Sequence, residues 1–408
     1  MYSPRSKKRV LRPGQVRTTN NAAILQLLRQ RQPLSRAEIA RATGLTEGTI
    51  SRITAGLLER GLVVEEGAEN STGGRPAIRL RLDNTRFLSI GVDILNWETH
   101  IAVGTLSGQL LETKYYRTPD TPEATLDMIA RHVQAIRPRY RNATFVGIGV
   151  TARGLVNSDT GVVELGNDAN WIAVPVRDTL QAKTALPVRV ENDVRAAALA
   201  EYEHGSAEVQ SSHTLLFVKV GEGVGMGIVL DGRLYRGPNM AAGEMGQMLI
   251  VSDAASDSPH DNPGCLEKLA SNFATSERYA RLCGGRNRNN PGDSAAQVKR
   301  VCHLAASGDA KAIEALRATS RYLGLGLANA VWLLNADVVV IDGALAEAWT
   351  TVSAAIREQF PSGDAFANFR TLTLRPSSLS GRAPMVAAVG LPFASWFSEA
   401  PALRAAGD

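Results

Sequence analysis

At Asp83 the periodicity of the chain changes, and no single fold type satisfies both sides of that change. From Asn20 to Gly61 apolar residues recur at helical spacing: Ile24, Leu25, Leu27 and Leu28, then Ile39, then Ile50, Ile53, Leu57 and Leu58. Beyond Asp83, short β-branched runs alternate with Ala-rich helical stretches, an α/β pattern. At 408 residues the chain also exceeds what one hydrophobic core organises, so two or three domains are expected.

Charge divides at the same place. Residues 1–86 hold sixteen Lys/Arg against seven Asp/Glu, net +9, and the remainder holds 29 against 33, net −4. A basic head on a near-neutral body suits a polyanionic partner. A merely basic tail is the alternative that charge alone leaves open. In the head, "NNAAILQLLRQRQ" reads as a first helix, ended by "QPL". Ser35 and Glu38 have capping-box spacing before a second helix, and Gly44 marks the turn after it. A third helix opens at Thr46 and stops at Gly61. Two short helices joined by a glycine turn have helix-turn-helix geometry.

The exposed face of the third helix would carry Thr46, Glu47, Thr49, Ser51 and Arg52, suited to phosphates and base edges of double-stranded DNA. A small bundle with a solvated polar face is the competing reading. "LVVEE" and "AIRLRL" then form a two-stranded wing. Its tip, "NSTGGRPA", holds Arg75 between Gly74 and Pro76, where a stiffly presented guanidinium suits a narrow minor groove. The basic arm before Asn20 is expected to be disordered and to add phosphate contacts.

The composition, 44% hydrophobic and 21% charged, is that of a soluble globular protein, with no apolar run approaching the roughly 20 residues of a membrane span. Met1 to Arg12 lacks the apolar stretch of a secretory signal. Cys265, Cys283 and Cys302 are too few and scattered for a disulfide framework, which points to a reducing cytoplasm. No internal repeat is visible.

Six stretches occur in a characteristic order: "GGRPAIRLRLD", "GLVNSDTG", "LPVRVENDVRAAALAE", "GVGMGIVLDGRLYRG", "AAGEMGQM" and "GCLEKLAS". This set resembles the ROK family (repressors, open reading frames and kinases), and within it the winged-helix, sugar-responsive repressors. The resemblance runs from about Asn20 to about Ser395. It implies an α/β, actin-like (ribonuclease H-like), two-lobed fold whose cleft holds a sugar. The chain is then expected to comprise an arm (1–19), a winged helix-turn-helix (20–82), a small lobe (83–190) and a large lobe (191–408) whose C-terminal segment can return to the small one. A homodimer or higher homo-oligomer is the expected assembly.

By the same resemblance the sugar contacts are Asn192, Asp193, Glu244 and Glu267, with Gly154 beside them and Gln247 where the family's Glu-x-Gly-His motif has its histidine. Carboxylates and an amide can bridge vicinal hydroxyls in a partly desolvated cleft. Singly, Asp193 would also suit a helix start and Glu267 a solvated helix-start charge. Arg153 stands where the family has proline. It is either a surface charge or, if it points inward, suited to an acidic or phosphorylated sugar. In zinc-bearing members the motif histidine joins three cysteines. Here Gln247, Ser258, His260 and Cys265 stand at those positions, where His260 and Cys265 cannot close a tetrahedral site alone; the reading is a lost zinc site with neither metal nor cofactor, and a two-ligand metal remnant is the alternative.

The kinases of this scaffold hold ATP with glycine-rich turns. The first turn keeps Asp93 but has Leu95, Asn96 and Trp97 in place of glycines and a hydroxyl. The second is Gly221–Glu222–Gly223, and Asp342 replaces a glycine on the adenosine side. Both added carboxylates should repel a triphosphate. The expectation is a DNA-binding regulator on a former kinase scaffold, not an enzyme. An active sugar kinase with an appended DNA head is the runner-up, and a ligand-independent DNA-binding protein the third reading.

Overall fold

The computed structural model describes residues 13–68, 77–166, 170–252, 262–286, 293–361 and 371–397, with side chains from residue 19 onward. It opens with helices α1 (Pro13–Arg31), α2 (Arg36–Thr43) and α3 (Glu47–Glu59). Residues 13–19, expected within a disordered arm, are therefore the first turns of α1. Met1 to Arg12 and the wing tip with Arg75 lie outside the described residues. The capping box forms: Ser35 N donates to the Glu38 carboxylate at 2.7 Å, and Ser35 Oγ accepts from Glu38 N. Gly44 ends α2 at φ +68°, and Thr46 caps α3 from outside it. The wing gains a strand over the sequence reading. β1 (Leu34–Ser35), β2 (Val63–Ala68) and β3 (Ile78–Leu82) pair antiparallel in the order β1-β3-β2.

In the body, β4 (Phe87–Ile94), β5 (Glu98–Thr105) and β6 (Leu110–Arg117) form an antiparallel meander. Helix α4 (Pro122–Ile136) leads to β7 (Thr144–Ala152), parallel to β4. A small sheet of β8 (Leu155–Asn157), β9 (Val162–Leu165) and β10 (Ile172–Val174) follows. Then come α5 (Val176–Thr184) and β11 (Val188–Asn192), parallel to β7. Helices α6 (Asp193–His204) and α7 (Ala207–Gln210) cross to a second sheet. Its first strands are β12 (Thr214–Val220), β13 (Val224–Leu230) and β14 (Arg233–Tyr235). What reads in sequence as one hairpin is thus two. The Asp231–Gly232 turn has both φ values positive, as a two-residue hairpin loop requires.

Helices α8 (Leu266–Ala270), α9 (Asn272–Leu282), α10 (Ser294–Ala306) and α11 (Ala310–Leu334) precede β15 (Val338–Gly343), which runs parallel to β12. Helix α12 (Trp349–Arg357) and β16 (Thr373–Pro376), parallel to β15, complete the sheet. The two large sheets share one connectivity. Their orders, β6-β5-β4-β7-β11 and β14-β13-β12-β15-β16, each add two parallel strands to a three-stranded meander. Among the described residues no helix is long and apolar enough to cross a membrane.

The chain then returns to the first sheet. Helix α13 (Ala383–Gly390) packs on β4, β5, β7 and α6, and α14 (Ala394–Phe397) packs on α1. Glycines make this docking possible. A Cβ at Gly91 would lie 2.6 Å from Val389 Cγ1, and one at Gly149 would meet the Ala388 carbonyl and come within 2.9 Å of Leu391 Cβ. Ser89 Oγ donates to the Val389 carbonyl at 2.6 Å. Phe393 and Phe397 share one buried core with Ile24, Leu28 and Leu57 of the head and Leu106 in the turn after β5. Head and body are fused through it.

Gly149→Ala should therefore destabilise the whole chain by roughly 1–3 kcal/mol, the usual cost of overpacking. Denaturant unfolding measures this, and an unchanged midpoint would contradict the close approach of α13.

Candidate functional site

Between the two large sheets lies a pocket open to solvent. The ends of β7 and β11, the first turn of α6 and the β12–β13 turn line it. Gly154, Asn192, Asp193, Glu244 and Glu267 are all in its wall. Gln247 is not; its own side chain is exposed, while Met245 and Gly246 before it are buried. Gly154 has φ +92°, and a Cβ there would meet the Leu165 carbonyl, so this corner of the wall requires glycine.

Asn192 is the N-cap of α6. Its Oδ1 accepts from Val194 N and Arg195 N at 3.0 Å each, and its Nδ2 donates to the Gly154 carbonyl at 3.0 Å. The capping role that Asp193 might have filled therefore belongs to Asn192. Most of the amide's capacity is spent on shaping the wall. Glu267 is half-buried rather than solvated and accepts from Val224 N at 3.1 Å. Gly223 makes room for it, since a Cβ there would lie 2.5 Å from Glu267 Oε2.

Lys219, which the sequence reading passed over, controls the charge of the floor. Its Nζ donates to Asp193 Oδ2 at 2.9 Å. Burial alone would push the Asp193 carboxyl up. The Lys219 ammonium, helped by Arg153, overrides burial and holds it below the usual range. Burial likewise opposes the Lys219 charge, but Asp193 and Asp93 raise its pKa. Asp93, buried and accepting from Thr151 Oγ1 at 2.8 Å, is raised by desolvation. Asp342 is raised for the same reason. A lone lysine in the otherwise apolar strand "TLLFVKV" was the available signal.

A second network fixes the rim. Buried Glu191 pairs with Arg195 at 2.8 Å and Arg236 at 2.7 Å, and accepts from Ser158 Oγ at 2.8 Å. Arg195 also donates to the carbonyls of Val156 and Met240. The loop that leads to Glu244 is thereby tied to the first half of the body. Glu244 keeps part of its surface in solvent, yet desolvation in the pocket, reinforced by Glu267 and Asp193, raises its pKa.

On the phosphate side the outcome departs from the sequence reading. Glu222 does not stand as a bare carboxylate. Its Oε2 accepts from Arg153 Nη1 at 2.5 Å and from Asn96 Nδ2 at 3.0 Å. Arg153 is accordingly neither a surface charge nor a free anion binder, but a half-buried partner of Glu222. Beyond this pair lies a larger cleft, open to solvent, lined by Asp93, Leu95, Asn96, Trp97 and Asp342.

In the head, Thr46, Glu47, Ser51 and Arg52 are exposed and Thr49 is half-buried. Thr46 Oγ1 accepts from Thr49 N, and the two hydroxyls lie 2.9 Å apart, so both already serve the cap of α3. Of the residues matched to a zinc site, Ser258 and His260 lie outside the described residues. Cys265 is buried, and Leu249–Cys265 pairing sets its segment beside that of Gln247. A carboxamide and one thiol do not fit tetrahedral zinc. Among the described residues no three His, Cys, Asp or Glu side chains gather to hold a metal ion.

Residues 89–391 match the ROK family and residues 20–67 the IclR helix-turn-helix domain. The chain is 31% identical over 366 residues to the DNA-binding transcriptional dual regulator NagC of Escherichia coli K12, covering 87% of each. It is 26% identical over 372 residues to the xylose repressor of Bacillus subtilis 168, covering 90% of this chain and 93% of that one. A solved ROK family transcriptional regulator, a homolog of the E. coli MLC protein, matches at TM-score 0.75 and 25% identity over 96% of this chain and 100% of its own. A ROK family glucokinase from Streptomyces griseus, solved with glucose and AMPPNP, matches at TM-score 0.62 and 26% identity over 74% of this chain and 98% of its own. The regulators thus extend over nearly the whole chain, the kinase only over a body-sized share.

Removing the ammonium tests the charge logic of the floor. Lys219→Met removes the ammonium that opposes Asp193, Asp93 and Asp342, and should destabilise the fold at pH 7 by about 3–5 kcal/mol. In the parent, Asp193 is held low, so it stabilises above the unfolded carboxylate range and that contribution is lost as pH falls through its folded pKa. In the variant the carboxyls titrate upward, so acidification relieves the strandedcharges and the deficit against the parent should shrink from pH 7 to pH 5. Denaturant unfolding at both pH values checks this.

Proposed function

The chain belongs to the ROK family, and from that premise we propose that it is a DNA-binding transcriptional regulator, a repressor, whose hold on operator DNA is set by a sugar bound between its lobes. The named relatives support the regulator class, and the match of residues 20–67 to a helix-turn-helix supports operator DNA as partner. For the head we assign phosphate and base contacts to Glu47, Ser51 and Arg52, with Thr46 and Thr49 shaping the start of the helix and Arg75 entering the minor groove. For the pocket we assign sugar hydroxyls to Asp193, Glu244 and Glu267, with Asn192 and Gly154 forming the wall.

The observation that carries this reading is the course of helix α6. Asn192 and Asp193 at its start line the pocket. At its end, Glu203 pairs with Arg29 of α1 at 2.7 Å. Its 12 residues span about 18 Å as a stiff rod. Arg29 lies over the Phe397 ring at 4.0 Å, and His204 packs beside Gly108. Burial, with Arg29 adding to it, pushes the His204 pKa down to about 3, so the joint keeps an uncharged imidazole. A sugar that binds two positions of α6 unequally would shift the head between DNA-competent and incompetent arrangements.

We further propose that the chain does not phosphorylate its sugar. By the family resemblance Asp193 stands where the kinases keep their general base; such a base works best with a pKa near the working pH, whereas Asp193 is held low by Lys219. Phosphoryl transfer depends mostly on positioning and charge stabilisation, and Leu95, Asn96 and Trp97 replace the cradle that would supply them. An active kinase is the second reading, favoured by the retained Asp193 and the open cleft. Phe273, Leu325, Trp332 and Leu333 are exposed on α9 and α11, an apolar surface that supports a homodimer.

Calorimetry and operator-binding titrations at one salt concentration test the reading. Asp193→Asn should lose most sugar binding and keep sugar-free operator binding. Glu203→Gln should keep both and shrink the sugar-induced change in operator affinity. Operator affinity of the parent that ignores every sugar it binds would refute the regulator mechanism. Micromolar ATP affinity with sugar phosphate formed in a single turnover would make the protein a kinase.

A further inference from the structure

We propose that the Arg153–Glu222 pair sets the charge selectivity of the pocket, so that the site takes an uncharged monosaccharide and turns away sugar phosphates and sugar acids. The inference rests on reading this pocket as a sugar site. Three cations line it, and each already has a carboxylate: Arg153 has Glu222 at 2.5 Å, Lys219 has Asp193 at 2.9 Å, and Arg195 has Glu191 at 2.8 Å. Against these three stand four lining carboxylates, Asp193, Glu222, Glu244 and Glu267. Among the described residues neither Glu244 nor Glu267 has an ion-pair partner. The wall therefore offers acceptors to hydroxyl groups and a net negative charge to anything anionic.

Position makes Arg153 and Glu222 the deciding pair. Arg153 follows the end of β7, and Glu222 lies in the β12–β13 turn, so the two reach across from opposite sheets. Glu222 Oε2 is also held by Asn96 Nδ2 at 3.0 Å, and both partners are half-buried. A phosphate or carboxylate that sought Arg153 would have to displace Glu222, breaking a charge-assisted bond and leaving a carboxylate stranded beside the incoming anion. An uncharged sugar makes no such demand. It donates its hydroxyls to Glu244, Glu267 and Asp193 and leaves the pair closed.

Replacing Glu222 by glutamine keeps the shape, removes one negative charge and frees the guanidinium. The experiment is isothermal calorimetry of the parent, Glu222→Gln and the Glu222→Gln/Arg153→Gln double variant. The probes are glucose, xylose and N-acetylglucosamine, with glucose 6-phosphate, N-acetylglucosamine 6-phosphate and glucuronate as charged counterparts. The parent should bind a neutral sugar at least about tenfold more tightly than its charged counterpart. Glu222→Gln should narrow that ratio by about tenfold, and the second substitution should restore it. A parent that binds the phosphate or the acid as tightly as the neutral sugar overturns the proposal while leaving the sugar site standing. So does a folded Glu222→Gln protein with an unchanged ratio. If the parent binds no sugar in any form, the sugar-site reading falls and this inference with it. The parent's ratio decides the matter even if the variants fail to fold.

Discussion

One ammonium group holds the floor of the cleft together. Asp93 lies near the end of β4, Asp193 begins α6 and Asp342 lies near the end of β15, and all three are buried. Asp93 and Asp193 repel one another in desolvated surroundings, and burial raises Asp342 as well. Lys219, from β12, supplies the opposing charge and a 2.9 Å hydrogen bond to Asp193. Its placement requires the ends of β4, β12, β15 and α6 to converge, so the two sheets face one another across the pocket. The Arg153–Glu222 pair then closes the same space from the rim, and Glu191 with Arg195 and Arg236 anchors the remaining side. Most charge in this site is thus matched within the protein, which leaves Glu244 and Glu267 as the groups with capacity to spare.

The same convergence ties the site to the head. Helix α6 starts in the pocket and ends against α1, and α13 packs on both α6 and the first sheet. That packing works because Gly91, Gly104 and Gly149 leave no side chains between strands and helix. Beyond α13, Phe393 and Phe397 enter the core that also buries Ile24, Leu28 and Leu57. A head that shares its core with the body cannot swing independently as a tethered domain would. Any rearrangement of α6 must be accommodated by repacking at α1, and close-packed interiors respond in discrete steps.

Among its residues, those whose signals are local were legible in the sequence. The capping box of Ser35 and Glu38, the Gly44 turn, the wing strands and the alternation of the body all arise from spacings of a few residues, where backbone preferences and periodicity act. The pocket residues Asp193, Glu244 and Glu267 were legible through the ordered motifs, since a shared motif carries its place in the fold with it. Gln247, placed with them by its motif, lies outside the pocket lining, because a motif position does not reveal which way a loop turns its side chain.

What the tertiary structure alone decided is the pairing of charges across long sequence distances. Nothing near Glu222 in sequence announces Arg153, 69 residues earlier, and the expected repulsive carboxylate proves to be a neutralised one. Lys219 gave a faint signal, a charge in an apolar strand, but its meaning depends on Asp93, Asp193 and Asp342 arriving from three other elements. The shared connectivity of the two large sheets is likewise invisible as a repeat, because hydrogen-bond ladders constrain backbone order and tolerate almost any apolar side chain. The amino-acid sequence determined the elements and the chemistry each could bring. Coulomb energy and desolvation act through space, so only the folded chain determined which charges remain open to a ligand.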